Sequence, residues 1–272
     1  CEVSDKMFAP PRRWRPASAM ATCLVAAITL LLLGASNPLG AFAKVSCPSS
    51  SDEHPAGPTL LLVRHAQSAN NAAWYRKAMF GLRDPELSSK GVEQARAASA
   101  ALSGVAVDLV FSSQLQRAMQ TAALIFPGPV HVAPFASETA ITGRWCFLTP
   151  GICAYDRATQ RVRLGPAMSA QFDWSLVGGP DGSNDDATMG PPSFSHFLGW
   201  LRNQTIVQSL IAAKGAEATI ALVSHGNLLE HQALADCWPH PHNTQAFALT
   251  LPEGGKSVSL ESVRVVYPGP RK

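Results

Sequence analysis

The chain has 272 residues, of which 46% are hydrophobic and 15% are charged, so it can bury a full core and does not have the composition of a disordered protein. Residues 1–43 hold four basic and two acidic residues, which leaves 18 basic and 17 acidic residues for the rest of the chain. A nearly neutral body excludes a broad nucleic-acid-binding surface, because such a surface needs clustered lysines and arginines.

The first 43 residues have the layout of a secretory signal peptide. The basic segment RRWR at 12–15 precedes an apolar run at 19–35, and the tetrapeptide GAFA at 40–43 then offers a small-residue cleavage pattern. The apolar run is just long enough to span a bilayer, so an uncleaved anchor that contacts the membrane through residues 19–35 stays open. A plastid-type leader would have a similar layout. The segment 1–43 is therefore predicted as a signal peptide or membrane anchor of a secreted, membrane-anchored or plastid-targeted protein.

Residues 44–58 are rich in serine, proline and glycine and are predicted to be a linker, whereas strands and helices alternate along residues 59–272. The predicted elements are a strand at 59–63, a helix at 88–104, a strand at 107–111, a helix at 114–125, a strand at 129–133, a helix at 194–211, a strand at 219–223, a helix at 227–235 and strands at 245–251 and 258–267. This alternation predicts an α/β fold with a mostly parallel sheet and helices on both of its faces, a three-layer αβα sandwich.

Residues 134–192 interrupt the alternation. They are rich in glycine and proline and show no periodic pattern, so we expect an irregular insertion within the domain. Long insertions of this kind in compact domains are often lids over a functional site. The segment is therefore predicted to be a cap, and together with residues 72–83 it is expected to set substrate specificity.

Four cysteines lie beyond the leader, namely Cys47, Cys146, Cys153 and Cys237. An even number permits two disulfides in an oxidising compartment, and Cys146 with Cys153, on either side of a Pro-Gly turn, is the first candidate pair. Buried free thiols are an equal alternative. The absence of any CxxC spacing argues against structural zinc.

Polar side chains follow three of the predicted strands. Arg64 and His65 end the strand at 59–63, Arg117 lies one turn into the helix after the strand at 107–111, and His225 follows the strand at 219–223. Because the carboxyl ends of parallel strands meet at one edge of a sheet, we expect these side chains in one crevice. Guanidinium groups match phosphate oxygens in geometry, and helix N-termini add amide donors. The sequence therefore predicts a pocket for an anion such as phosphate.

Four motifs, in order along residues 64–226, resemble those of the histidine phosphatase superfamily, whose fold is that of the phosphoglycerate mutases. RHAQSANN at 64–71 is similar to the family's Arg-His-Gly-Glu-Thr-x-x-Asn, and LSSKGVEQA at 87–95 resembles Leu-Ser/Thr-x-x-Gly-x-x-Gln-Ala. SSQLQRAMQTA at 112–122 is close to Ser-Ser-x-Leu-x-Arg-Ala-x-Gln-Thr-Ala, and SHG at 224–226 matches Ser/Thr-His-Gly. A single motif of this kind is weak evidence, but four in the family's order are specific.

The resemblance implies that residues 59–272 form a histidine phosphatase domain. His65 would attack phosphorus and carry the phosphoryl group for part of the reaction. Arg64, Arg117 and His225 would hold the phosphoryl oxygens, and Asn71 would add a hydrogen bond.

The family also places a glutamate after its third strand, and Glu138 is the match in this chain. It would protonate the departing alkoxide and later deprotonate water. The implied reaction is the metal-independent hydrolysis of a phosphomonoester without a cofactor. The expected substrate is a phosphorylated small molecule or a phosphoprotein, and no nucleic-acid partner is expected.

Two departures from the family pattern keep alternatives open. Ala66 replaces a glycine, which adds a methyl group where the backbone would approach phosphate, and Gln67 replaces a glutamate. A mutase-type phosphotransferase and a non-catalytic phosphate-binding protein are the two alternatives. A zinc site at His225 and His231 is not predicted, because residues six apart face different sides of a helix.

Overall fold

The computed structural model describes residues 57–73, 81–138, 150–177, 191–251 and 258–270, all of which belong to the unit Val45–Lys272. The predicted leader at 1–43, most of the predicted linker at 44–58 and parts of the predicted insertion lie outside the described residues. Within the described ranges, no helix has both the length and the apolar character needed to cross a membrane.

The described residues form one seven-stranded sheet. Its strands are β1 (Thr59–Arg64), β2 (Leu109–Ser112), β3 (Val130–Val132), β4 (Phe172–Asp173), β5 (Thr219–Ser224), β6 (Ala246–Thr250) and β7 (Arg264–Tyr267). The strand order across the sheet is β4-β3-β2-β5-β1-β6-β7. All pairs from β4 to β1 are parallel, whereas β6 runs antiparallel to both β1 and β7. The prediction of a mostly parallel α/β sheet is confirmed.

Helices connect the strands and cover both faces of the sheet. They are α1 (Ala69–Ala72), α2 (Ser89–Leu102), α3 (Gln116–Ile125), α4 (Arg157–Leu164), α5 (Pro166–Ser169), α6 (Phe194–Arg202), α7 (Thr205–Lys214) and α8 (Gly226–Leu228), which continues as a π-helix over Leu229–Ala233. Along β1, Leu61 and Val63 contribute to one buried cluster with α2 and α3, and Leu60 and Leu62 contribute to another with α6. Because alternate residues of a strand face opposite sides, β1 supports both cores. The three-layer αβα arrangement is confirmed.

The expectation that residues 134–192 are irregular throughout is wrong for its described middle part. Helices α4 and α5 lie there, and β4 adds a parallel edge strand beside β3. Phe172 and Trp174 are buried and belong to the same cluster as α2 and α3, so this part packs against the domain. A two-residue strand and a four-residue helix are too short to show a periodic sequence pattern, which is why the prediction missed them.

Two helix boundaries also differ from the prediction. The helix expected at 194–211 is divided into α6 and α7, with Asn203 as the C-cap of the first and Gln204 as the N-cap of the second. Helix α3 begins at Gln116, two residues later than predicted, with Leu115 as its N-cap and no side-chain cap.

The structure decides between the two interpretations for two of the four cysteines. Cys153 and Cys237 are both disulfide-bonded, so the buried-thiol interpretation is wrong for them. Cys146, the suggested partner of Cys153, and Cys47 lie outside the described residues.

The N-terminal part of α2 and its N-cap hold the loop that follows β1. The side chain of Gln94 accepts a hydrogen bond from the main-chain N–H of Gln67 at 2.9 Å. Ser88, the N-cap of α2, donates from its main-chain N–H to the carbonyl of Gln67 at 3.0 Å and from its hydroxyl to the side chain of Gln67 at 2.9 Å. Gly91 is the point of closest approach, because a methyl group there would overlap the carbonyl oxygen of Gln67 and lie 3.2 Å from its nitrogen. The motif at 87–95 therefore holds the β1 loop in place.

We expect Gly91→Ala to destabilise the protein and Gly199→Ala to stabilise it, although both glycines lie in helices. The methyl group at 91 meets rigid backbone, which costs about 1–3 kcal/mol or more, whereas no atom lies within 4 Å of a methyl group at 199. There the better helix propensity of alanine contributes about 0.5–1 kcal/mol. Urea unfolding of the two variants against the wild type measures both changes. Equal effects of the two substitutions would contradict the close approach at Gly91.

Candidate active site

Four of the predicted site residues form one cluster at the carboxyl ends of β1 and β5. His65 follows β1 and His225 follows β5, and the centroids of their rings are 5.1 Å apart. Arg117, in the first turn of α3, donates from Nε to Nε2 of His65 over 3.2 Å. A carboxylate oxygen of Glu138 lies 4.0 Å from Nη2 of Arg117 and 3.9 Å from Nδ1 of His225. Side chains up to 160 positions apart thus meet because parallel strands end at the same edge.

The hydrogen bonds of His65 fix which ring nitrogen carries the proton. Its Nδ1 lies 2.6 Å from the carbonyl oxygen of Ala66, which can only accept, so Nδ1 is the protonated nitrogen. Its Nε2 accepts from the guanidinium of Arg117 and therefore holds the lone pair. Burial, the charge of Arg117 and the charge of Arg64 lower the pKa of His65 well below its ordinary value. The imidazole is neutral at physiological pH, and Nε2 is able to act as a nucleophile.

His225 is fully buried and is oriented by a serine from the end of β2. The hydroxyl of Ser113 lies 2.8 Å from Nε2 of His225, which leaves Nδ1 directed towards Glu138. Nδ1 of His225 makes no hydrogen bond to any of the described residues. Burial, followed by the charges around it, lowers the pKa of His225 well below its ordinary value. The ring is thus a neutral group that can bind an oxygen of a ligand.

The guanidinium of Arg117 is buried between groups that compensate its charge. Its Nη1 donates to the carbonyl oxygen of Gly151 at 2.7 Å. Burial lowers the pKa of Arg117, and the carboxylates of Glu138 and Asp84 partly offset that effect. Asp84 is itself buried and accepts from the main-chain N–H of Gln116 at 2.8 Å, at the start of α3. Gly151 lies in the predicted insertion, so the described part of that insertion does reach the site.

Arg64 is held by the loop at 239–244. Its Nη1 donates to the carbonyl of Pro241, and its own carbonyl accepts the N–H of Thr244 at 3.0 Å. The side chain of Asn243 donates to the carbonyl of His65 at 3.0 Å, so the loop also fixes the backbone of His65. Nε of Arg64 is buried and has no hydrogen-bond partner in the part of the chain that the structure describes.

The structure places Asn71 in α1, where its side chain has a capping role. Its Oδ1 accepts from the main-chain N–H of Ser68 at 3.3 Å and from the hydroxyl of Ser68 at 2.9 Å. Because the acceptor end of the amide is used in this capping box, a contact with phosphate would come from its NH₂ group. The role of Asn71 towards a ligand stays a prediction.

The departure at Ala66 does not obstruct the pocket. Its side chain is fully buried in the apolar cluster on the α2 and α3 face of the sheet. Its main-chain N–H donates to the hydroxyl of Thr121 at 3.0 Å, and that hydroxyl donates to the carbonyl of Arg117 at 2.6 Å. The amide of residue 66 therefore supports α3 beneath the site.

His65, Glu138 and His225 also offer ligand atoms within 4.8 Å of one another, a spacing that a metal ion could bridge. The electrostatic surroundings oppose a cation, because Arg117 donates to Nε2 of His65, the atom that a metal would need, and Arg64 is also close enough to lower the pKa of His65. The described residues fit an anion here better than a metal ion.

Sequence reasoning found the charged residues of this site but not the residues that support them. Ser113, which directly follows β2, orients His225. The roles of Asp84 and Gly151 around Arg117 depend on contacts between distant segments. The tandem serine after β2 was the only available signal, because a hydroxyl at the end of a parallel strand can turn into the site.

Comparison with known proteins confirms the resemblance. Residues 60–141 match the sequence model described as histidine phosphatase superfamily (branch 1), a range that includes His65, Arg117 and Glu138. The 2,3-bisphosphoglycerate-dependent phosphoglycerate mutase of Sinorhizobium fredii is 46% identical over 70 residues, which are 25% of this chain and 31% of the mutase. The corresponding mutase of Rhizobium meliloti is 44% identical over 70 residues, again 25% and 31%. The chain thus spans about a third of the length of these relatives.

Two solved structures show similar folds. The mycobacterial glucosyl-3-phosphoglycerate phosphatase has a TM-score of 0.45 and 24% identity, and the match covers 77% of this chain and 97% of that one. A structure named mycobacterial hydrolase 1 has a TM-score of 0.48 and 22% identity, with 77% of this chain and 96% of the other covered.

The two buried neutral histidines predict an acid-sensitive fold. Unfolding exposes His65 and His225, which then take up protons below a pH of about 6.5, whereas the folded state excludes those protons. The free energy of unfolding should therefore fall as the pH decreases below about 6.5, by up to about 1.4 kcal/mol per pH unit for each histidine. Urea unfolding in phosphate-free buffer at several pH values measures the slope.

The variant His65→Gln is the control for this prediction. It removes one of the two excluded protons and should reduce the pH slope. His231, whose pKa is raised by its bond to Asp236, contributes with the opposite sign, and comparing slopes cancels that contribution. A slope that is the same in the wild type and the variant would show that His65 does not stay neutral in the folded state.

Proposed function

We propose that this chain, whose segment 60–141 is of the histidine phosphatase superfamily, is a metal-independent phosphomonoester hydrolase that acts through a phosphohistidine on His65. The observation that carries the proposal is the geometry of His65. Its unprotonated Nε2 is buried, faces the guanidinium of Arg117 and lies in a cluster with His225 and Glu138. A neutral nucleophile amid fixed cations is suited to attack a phosphoryl group, whose oxygens the cations attract.

In the first step, Nε2 of His65 forms a bond to phosphorus and the bond from phosphorus to the ester oxygen breaks. Arg117, Arg64 and His225 bind the three remaining oxygens as charge spreads over them. Their fixed positions matter, because donors that are already oriented need no reorganisation during the reaction. The proton that the departing alkoxide needs comes from Glu138, which enters this step as the neutral carboxylic acid and leaves it as the carboxylate. Its carboxyl group lies 4.0 Å from Nη2 of Arg117 and 3.9 Å from Nδ1 of His225.

In the second step, a water molecule attacks phosphorus and the bond to His65 breaks. Glu138, now ionised, takes the proton of the water, and inorganic phosphate is released. Splitting the displacement in two allows one carboxyl group to serve first as acid and then as base. His65 returns to its neutral tautomer, with the proton on Nδ1 still bonded to the carbonyl of Ala66.

A mutase-type phosphotransferase is the second candidate. It is favoured by the match to phosphoglycerate mutases, which reaches 46% identity but covers only a third of their length. The two candidates share the phosphohistidine and differ in what accepts the phosphoryl group. Incubation of the phosphorylated protein with water alone, and then with 3-phosphoglycerate or 2-phosphoglycerate, distinguishes them. Rapid release of phosphate in water supports the hydrolase, and isomerisation of the phosphoglycerate supports the mutase.

We further propose that the protein works in an oxidising compartment, with a signal peptide or anchor in residues 1–43. The disulfide-bonded states of Cys153 and Cys237 support this, because structural disulfides persist mainly outside the reducing cytosol. N-terminal sequencing of the mature protein tests it, and a start near Lys44 is expected. An unprocessed leader together with free thiols at both positions would contradict it.

Replacement of His65 should abolish the phosphoenzyme. After brief mixing with a radiolabelled aryl phosphate, we expect the full-length wild type to carry an acid-labile label, and His65→Ala to carry none and to lose at least about 10³-fold in kcat/KM, as expected for a lost nucleophile. His242→Gln is the matched control, since this histidine of the loop at 239–244 is exposed and its main-chain N–H donates to the side chain of Gln245. Full activity of His65→Ala would refute the proposed mechanism.

Replacement of Glu138 should impair turnover in a way that depends on the leaving group. Glu138→Gln removes the proton donor while keeping the shape, so kcat on an alkyl phosphate should fall by about 10²–10⁴-fold. The phenolate that leaves an activated aryl phosphate is a stable anion and needs less protonation, so the loss in single-turnover rate on that substrate should be much smaller. Equal losses of single-turnover rate on both substrates would remove Glu138 from the proton-transfer role.

A further inference from the structure

A histidine that the mechanism does not use lies beside the pocket. His240 belongs to the loop at 239–244, which binds Arg64 and the backbone of His65 through Pro241, Asn243 and Thr244. The loop is therefore attached to the nucleophile and to one phosphate-binding arginine. The position of His240 is tied to this attachment, because the carbonyl of the next residue, Pro241, accepts a hydrogen bond from Arg64.

The orientation of the His240 ring is fixed by Glu230. The carboxylate of Glu230 is bonded to Nδ1 of His240, and since a carboxylate accepts, Nδ1 carries a proton. Nε2 is thus the nitrogen left for another contact. Glu230 belongs to the π-helix Leu229–Ala233 that follows His225, so its bond to His240 links that helix to the loop at 239–244.

The position of Gly226 shows where Nε2 of His240 points. A methyl group on Gly226 would lie 2.6 Å from Cε1 and 2.7 Å from Nε2 of His240, and 3.2 Å from Nε of Arg64. The edge of the imidazole and the edge of the guanidinium therefore face the same small volume. Gly226 directly follows His225, and its lack of a side chain keeps that volume open.

The donor on Arg64 in that volume needs an acceptor. Nε of Arg64 is buried and has no hydrogen-bond partner among the described residues, and a buried donor without an acceptor is costly. An oxygen of a bound anion would satisfy it. After burial and the charges of Arg117 and Arg64, the charge of His240 is a further influence that lowers the pKa of His65, which places His240 within electrostatic reach of the reacting nitrogen.

We propose that His240 is a further phosphate-binding residue, whose Nε2–H and the Nε–H of Arg64 donate to one oxygen of the bound phosphoryl group. In this contact both ring nitrogens of His240 donate, Nδ1 to Glu230 and Nε2 to the anion, and the bond to Glu230 keeps the ring in place. His231 is paired with Asp236 through Nδ1, and its Nε2 lies 3.9 Å from the carboxylate of Glu230. The inference rests on the proposed function, because the anion is the group that His65 would transfer.

Binding of inorganic phosphate and of orthovanadate to the full chain tests this without turnover. Calorimetric titration should show that His240→Gln weakens both anions by about tenfold to hundredfold, the value of a hydrogen bond between charged groups. Glu230→Gln should weaken them by a smaller factor, because the ring stays but loses its carboxylate. His242→Gln is the control: it lies two positions along the same loop, and its Cβ faces Gly269. It should change the affinity by less than twofold.

Unchanged affinity in His240→Gln would overturn the proposal. Equal losses in His240→Gln and His242→Gln would overturn it too, because they would show an effect of the loop as a whole. Loss in His240→Gln alone, with a melting temperature like that of the wild type, would support it. Failure of the proposed function looks different: phosphate would bind with this dependence on His240, but the wild type would form no phosphohistidine and hydrolyse no ester.

Discussion

The burial of two guanidinium groups beside a neutral imidazole is the constraint on which the rest of the site depends. Charge inside a protein is stable only when opposite charge or hydrogen bonds surround it. Glu138 and Asp84 supply negative charge to Arg117, and Glu138 and Glu230 supply it to Arg64. The two histidines at the centre stay uncharged because burial and these arginines oppose their protonation. Among the described residues, the buried Nε of Arg64 has no acceptor, which is a condition that favours an anion.

The same constraint explains why so much of the sequence motif serves the backbone. A nucleophile at the end of a strand is useful only if the loop that carries it cannot move. Gln94 holds the N–H of Gln67, Thr121 holds that of Ala66, and Asn243 holds the carbonyl of His65. These contacts come from α2, α3 and the loop at 239–244, so three separate segments fix three consecutive residues. Motif residues that bond to the backbone thus hold the donors around His65 in fixed positions, which is the preorganisation that the proposed reaction requires.

The sequence predicted the sheet, the alternation and the residues that carry charge, because each has a local signal. Buried strands are apolar runs, and Arg64, Arg117 and His225 stand at strand or helix ends that a parallel sheet must bring together. What it could not predict are pairings between segments far apart in the chain. Two examples are the contact of Glu230 with His240 and that of Asp84 with Gln116. Nothing in the local sequence distinguishes these residues from other polar residues. Helix α5 and strand β4 were missed for a different reason, since elements of four and two residues have no period to detect.

The departures at 66 and 67 show how the family pattern can change without loss of the pocket. At 66 a methyl group points into the apolar core and the amide is bonded to Thr121, so the position serves packing and is not part of the anion-binding surface. At 67 the side chain accepts a hydrogen bond from Ser88, which an amide oxygen can do as well as a carboxylate. The amide also adds no negative charge next to a phosphoryl group. Catalytic strength in this chain should therefore depend on the residues around Nε2 of His65, and not on the two positions where its sequence departs from the family.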